Sequence, residues 1–478
     1  MNRERAGVFD REIAALPDIV PARISGRVTR VVGLIAESHG LSVPVGSQCE
    51  IVDRRGKRVM AEVVGFRDEN TIVIPYGEIR GISAGDRIFY LGDVPRVWAG
   101  TDLVGRVLDS SGQPIDQTFL PSSGRESNVE SSSRFQKMVR KSVPIHGTPI
   151  NPMLRRRIDS TMATGIRVID GLFSVGRGQR MGIFAGSGVG KSVLLSMIAR
   201  NSVADVSVIA LIGERGREVR EFVERDLGPE GLKRSVVIVA TSDEPPLRRV
   251  QAALIATAIA EFFRDQGKEV MFLLDSITRV AMAQREIGLS AGEPPATKGY
   301  PPSVFTMLPS LLERSGPGLE AAITAFYTVL VEGDDIHDPI GDSVRGILDG
   351  HLWLSRDLAG RSFFPAVDPL QSISRSMTNV VSPDHEADAR KVIEMISRYR
   401  EIEDLIQLGA YSPGADSRVD AAVTAMPTVE TFLRQSRSEF SAFEDTVVQL
   451  ESCVRASNQN GKTKSERVPT STIAGGGA

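Results

Sequence analysis

The chain has 478 residues, 41% of them hydrophobic and 24% charged, with a formal net charge of −3 and two cysteines. At roughly 150 residues per domain the length accommodates about three domains with sizeable cores, and the charge balance lacks the overall basic excess of a nucleic-acid binder. Cys49 and Cys453 lie too far apart for a disulfide framework or a Cys-rich metal site, and no apolar run reaches signal-peptide or membrane-span length.

Residues 1–20 carry Val8, Ile13, Leu16, Ile19 and Val20 at partly helical spacing, which reads equally as a short amphipathic arm or a frayed terminus. Residues 21–93 are rich in valine, isoleucine and glycine. Within them AEVVGF (61–66) and TIVIPY (71–76) are predicted strands around the turn RDEN, and the stretch is expected to form a small β-barrel. Residues 94–378 alternate apolar runs (207–212, 235–240, 269–274, 321–331) with helical patterns, the signature of an α/β fold with a mostly parallel sheet. PSSG at 121–124 and the serines at 131–133 mark an exposed connection in its front part. From 379 the β runs stop. Val392, Met395, Ile396, Tyr399, Ile402, Leu405 and Ile406 fall at helical spacing, so 379–456 is a predicted helical domain. Residues 457–478 are small, polar and aperiodic, the composition of a disordered tail.

The densest chemistry lies in GIFAGSGVGKS (182–192), an apolar strand running into a glycine-rich turn and a Lys-Ser pair that opens an apolar helix. That is a phosphate-binding loop, formed by Ala185, Gly186, Ser187, Gly188, Val189, Gly190, Lys191 and Ser192. Its glycines let backbone N–H groups turn inward around phosphate oxygens, and the helix N-terminus favours the anion. Lys191 is expected at the β- and γ-phosphates and Ser192 on Mg²⁺. The usual G-x-x-x-x-G-K-[ST] pattern has Ala185 at its first position here, a residue small enough to keep the turn.

Hydrolysis also needs acids. The run VMFLL ends in Asp275, at the carboxyl edge of a central strand, where a carboxylate serves the Mg²⁺ side; the competing reading is a helix N-cap. The run 207–212 leads into GERGRE, so Glu214 projects from the same kind of edge and can orient or deprotonate the attacking water. Taken alone, that charged run is also an unremarkable start to a solvated helix.

TGIRVIDGLFSVGRGQRMGIFAGSGVGKS, GERGREVREF, FLLDSITRVAMAQREIGLSAGEPPATKGYPPSVF and FPAVDPLQSISRSM occur in that order. Together they resemble the type III export ATPase family, the flagellar and injectisome relatives of the catalytic subunits of rotary ATP synthases. The resemblance covers residues 21–453 and implies a RecA-like P-loop ATPase core with an N-terminal β-barrel and a C-terminal helical domain. It implies that Glu214 is the catalytic glutamate, Asp275 the Walker B acid, Arg375 an arginine finger and Phe364 the ring against adenine. Neither of the last two roles follows from residue type; by default Arg375 is a surface arginine and Phe364 a core side chain.

Rotary synthases divide glutamate and arginine finger between two chains, whereas here Glu214 and Arg375 share one, which implies a homohexamer with Arg375 acting on its neighbour's nucleotide. The resemblance further implies a cytoplasmic ATP hydrolase, peripheral to the membrane, that energises protein export. Its partners would be a stator-like regulator at residues 1–20, a coiled-coil stalk meeting the segment 285–298 in the ring channel, and an export gate with substrate–chaperone complexes at the helical domain. By spacing alone 285–298 is a loop. GLIAESHGLSVPVGSQCEI and SISRSM look closer to flagellar than to injectisome members. A hexameric RNA translocase is the competing class, but Phe66, Tyr76, Phe89 and Tyr90 are not interleaved with a dense basic stripe. A nucleotide-binding scaffold without turnover would be expected to lack Glu214.

Overall fold

The structure, a computed structural model, describes residues 24–116, 140–186, 188–331, 335, 338–414 and 416–457. The arm at 1–20, the connection at 121–133, Ser187 and the tail from 458 lie outside the described residues. Two compact units form: the first runs through Arg96 and includes Pro245–Leu247 and Glu286–Pro294, and the second holds the remainder.

The first unit is built on a closed barrel of β1 (Ser25–Val32), β2 (Ile35–His39), β3 (Gln48–Val52), β4 (Arg58–Arg67), β5 (Asn70–Pro75) and β6 (Arg87–Gly92), in the order β1-β2-β5-β4-β3-β6. Alternation sends Val28, Ala36, Cys49, Ile51, Ala61, Val63, Val73 and Ile88 inward, each at most 1% exposed. Gly26 permits the tightest approach, since a Cβ there would lie 2.5 Å from Ser38 Oγ and 2.7 Å from the His39 carbonyl.

In the second unit β7 (Arg96–Ala99) pairs with β9 (Lys141–Pro144) as a two-stranded ribbon, and β8 (Val107–Leu108) joins the main sheet. That sheet also contains β10 (Arg180–Ala185), β11 (Val206–Glu214), β12 (Ser235–Thr241), β13 (Val270–Asp275), β14 (Gly316–Pro317), β15 (Ala322–Leu330), β16 (Gly350–Leu354) and β17 (Ile373–Ser374). Its order is β17-β16-β10-β15-β13-β11-β12-β8, with β14 paired to β15. From β16 to β8 all pairs are parallel, while β17 runs antiparallel on the edge. The apolar runs explain this: every residue of β13 and all but the last of β11 and β15 are buried, as strands covered by helices on both faces must be.

Three helices, Pro383–Gln407, Ser417–Leu433 and Phe443–Ser457, follow the sheet and share its core rather than standing apart. Phe432, Leu450 and Val454 bury with Ile169 and Leu172 of the helix Arg167–Leu172. The helical stripe read from sequence buries Val392, Met395 and Ile396, but Leu405 is 47% exposed because the helix outruns that core.

One expectation is corrected. The helix Ile277–Ala291 runs through the first half of the segment 285–298 that reads as a loop. Gly288 is tolerated inside it, and the stop is Gly292, at φ +101°, where the Gly292 and Glu293 N–H groups cap the Leu289 and Gly288 carbonyls.

Candidate active site

Parallel strands carry their carboxyl ends to one edge, and there β10, β13 and β11 deliver Ala185, Asp275 and Glu214. Ala185 is the last residue of β10, fully in register with Leu330 and Leu354, and 1% exposed. Its φ is not positive, so glycine is not needed at that position. The turn itself uses Gly188 at φ +81° and Gly190 at φ +91°, the left-handed region that favours glycine. Gly190 caps the helix Lys191–Asn201 and brings the following N–H groups to the edge. Gly186 and Val189 are buried, and Ser192 is half-buried in the first helical turn.

Lys191 reaches from this helix toward β13, which lies two strands from β10 in the sheet. Its Nζ lies 2.6 Å from Asp275 Oδ1 and 3.4 Å from Glu214 Oε1. Burial alone would pull the ammonium's pKa down, but the Asp275 and Glu214 charges outweigh it and raise it. Asp275 is buried and also accepts from Thr328 Oγ1 at 2.7 Å. The carboxylate is thus committed to the site rather than to capping; Arg279 N bonds Ser276 Oγ instead.

Glu214 reaches Lys191 through a bulge. The β11–β12 register shifts between Ile212 and Glu214, with Gly213 at φ +74° between them. A Cβ on Gly213 would meet Arg279 Cβ at 2.8 Å, so the bulge requires glycine twice over. Burial raises the Glu214 pKa; Lys191 opposes that, and the Asp275 charge and a bond to Glu218 add to it.

Phe364 is 44% exposed, so the core reading fails for it. Its ring covers the loop, 3.4 Å from the point a Gly190 Cβ would occupy. It walls a cavity of about 390 Å³ together with Val193, Leu194, Met197, Gln435 and Arg437. Sequence reasoning missed Thr328, Gln435, Ser436 and Arg437. A threonine inside the buried run of β15 was the one available signal; nothing in the sequence ties 435–437 to the loop.

Arg375 is elsewhere. It follows β17, and its N–H donates to the Asp349 carbonyl at 3.0 Å, while Asp349 N donates to the Arg180 carbonyl at 2.9 Å. Arg180 begins β10 and Ala185 ends it, so Arg375 lies at the amino edge, about 17 Å from the loop at about 3.3 Å per residue. Its exposed guanidinium cannot reach this chain's own cavity.

The oxygen donors of Asp275, Glu214 and Ser192 are those a hard dication takes. The two carboxylates already hold one cationic group, the Lys191 ammonium, at the strand ends, so the residues present fit Mg²⁺ beside a nucleotide.

Residues 165–374 match the nucleotide-binding domain of the ATP synthase alpha/beta family, residues 22–92 its beta-barrel domain, and residues 381–452 the T3SS EscN ATPase C-terminal domain. The flagellum-specific ATP synthase of Bacillus subtilis (strain 168) is 52% identical over 429 residues, 89% of this chain and 94% of that protein. The type 3 secretion system ATPase of Xanthomonas euvesicatoria is 46% identical over 445 residues, 93% and 96% of the two. Among solved structures, the assembled ATPase EscN in complex with its central stalk EscO, from the enteropathogenic E. coli type III secretion system, aligns with a TM-score of 0.80 at 40% identity. The match covers 90% of this chain and 100% of that one.

Proposed function

Because the chain belongs to the ATP synthase alpha/beta family, within its flagellar and type III secretion ATPase branch, we propose that it hydrolyses ATP to energise protein export, in the flagellar apparatus. The carrying observation is the Lys191 ammonium held between Asp275 and Glu214 at the end of a glycine-rich loop. In this reading the loop N–H groups and Lys191 bind the phosphates, and Phe364 stacks on adenine. Glu214 orients water in line with the γ-phosphorus and takes its proton as the bond to ADP breaks. Mg²⁺ would be held by Ser192 and Asp275 and would supply neutralisation of the phosphate charge.

Arg375 serves the adjoining subunit of a homohexamer. That role is supported by its separation from its own loop and its exposed guanidinium. A coiled-coil stalk partner is supported by the EscN–EscO relative, with residues 292–296 the loop left between the helix Ile277–Ala291 and the 3-10 turn Thr297–Gly299 to meet it. Leu405 and Leu408, 47% and 80% exposed at the end of the helix Pro383–Gln407, support a docking role for that domain, which we assign to the export gate and substrate–chaperone complexes. Residues 1–20 are assigned to a stator-like regulator. Cytoplasmic residence with peripheral membrane association agrees with the described residues, none of whose helices is long and apolar enough to cross a membrane.

Turnover tests the enzymatic reading. Lys191→Ala should lose both tight nucleotide binding and hydrolysis. Glu214→Gln should bind MgATP nearly as the parent does, yet hydrolyse it on the order of 100-fold more slowly; an unchanged rate would remove Glu214 from the mechanism. Co-purification separates the two export systems: rod and filament proteins support the flagellar reading, and injectisome substrates support the assignment that the Xanthomonas relative suggests.

A further inference from the structure

Ser374 ends the edge strand β17 and Arg375 follows it, a position where a side chain aimed at another subunit is poorly restrained by its own neighbours. Here the backbone is tied down from inside. The Asp349 carbonyl that accepts the Arg375 N–H also accepts Gln179 Nε2 at 3.2 Å, and the same Nε2 donates to Ser374 Oγ at 2.9 Å. Ser374 Oγ donates onward to the Ser174 carbonyl at 2.9 Å. Gln179 Oε1 accepts from Gly176 N at 2.8 Å, which fixes which end of the amide faces the finger segment.

Gln179 has little freedom of its own. It is 0% exposed, its N–H donates to Gly176 O and its carbonyl accepts from Ala325 N, both at 3.0 Å. Asp349 is equally fixed, its carboxylate accepting from Arg180 N at 3.0 Å and Arg180 Nε at 3.1 Å. A buried amide is costly to place unless its donors and acceptor are all used. The two N–H donors of Gln179 are shared among the Asp349 carbonyl, Ser374 Oγ and the soft Met181 Sδ at 3.2 Å, so its pairing serves the finger segment more than its own strand.

We propose that Gln179 is a positioning residue for Arg375, setting the aim of the guanidinium at the neighbouring subunit's nucleotide through Ser374 and Asp349. The proposal rests on the reading that Arg375 acts between subunits. It predicts a defect on the donating side of each interface, with the variant's own loop intact.

The test is mixed-ring turnover with full-length protein. Gln179→Leu homo-oligomers should lose roughly 10- to 100-fold in kcat, the scale of a misplaced catalytic group, with KM for ATP moving less. Mixed with Glu214→Gln, they should recover activity above both parents, because a Gln179→Leu subunit supplies Glu214 while its neighbour supplies a well-aimed Arg375. Mixed with Arg375→Ala they should recover nothing, since both variants damage the same side. Ser374→Ala, at a half-buried edge position, should show the same pattern with a smaller loss and carries the test should Gln179→Leu fail to fold. Native mass spectrometry verifies that mixed rings form. Parental kcat in Gln179→Leu, or equal recovery with both partners, overturns the proposal. The Glu214→Gln and Arg375→Ala mixture is the control: if it recovers and the Gln179 mixture does not, only the positioning role fails, whereas if neither recovers in verified mixed rings, action between subunits fails with it.

Discussion

Burial holds the Glu214 carboxyl above the ordinary value of 4.5, with the Asp275 charge and the Glu218 bond adding to it and Lys191 opposing. A general base works only when ionised, so activity is present above that raised pKa and is lost as pH falls through it. The acid limb of kcat/KM should therefore fall at a higher pH than 4.5, with circular dichroism showing the protein folded across the range; a limb at or below 4.5 would mean that Glu214 is not the group titrating. The role proposed for Phe364 is tested separately. A base stacked on its exposed ring should gain roughly 1 to 3 kcal/mol, so Phe364→Ala should raise KM for ATP by about 5- to 150-fold while changing kcat less. An unfolded Phe364→Ala variant would return the residue to a packing role.

At the scale of elements, Gln435 ties the cavity beside the loop to the segment that enters the carboxyl-terminal helices. Gln435 N donates to the Phe364 carbonyl at 2.9 Å, and its side chain bonds Arg167 N and the Gly165 carbonyl, both at 2.8 Å. The helices behind that segment press close, since a Cβ at Gly171 would lie 2.6 Å from Phe432 Cζ. Gly171→Ala gains up to about 1 kcal/mol in helix propensity and loses roughly 1 to 3 kcal/mol by overpacking a buried contact. Net destabilisation is expected in thermal unfolding. Phe432→Leu in the same chain should return part of it, because the two substitutions share one contact; strictly additive effects would show that the crowding lies elsewhere.

For the whole molecule, if Arg375 acts as proposed, its distance from its own loop makes catalysis a property of the assembly. Specific activity should rise with protein concentration as subunits associate. Activity independent of concentration below the assembly range, tracked by light scattering, would argue that a lone subunit is complete.

The sequence by itself located the glycine-rich loop, both acids at strand ends and most element types, though it read 285–291 as loop where the helix Ile277–Ala291 continues; what it located depends on local chemistry, since left-handed turns need glycine and buried parallel strands need unbroken apolar runs. It also carried Ala185, whose tolerance follows from its place as a strand residue rather than a turn residue. Tertiary structure alone decided the rest. Thr328 and Asp275 are 53 residues apart in sequence and meet only because β13 and β15 are adjacent in the sheet. Gln435 joins Gly165 across 270 residues for the same kind of reason. Which edge of the sheet each residue occupies is a matter of strand direction, and that direction separates Arg375 from Lys191 while it unites Lys191 with Glu214. Spacing along the chain cannot encode it, since strand order and direction are settled only when the sheet assembles.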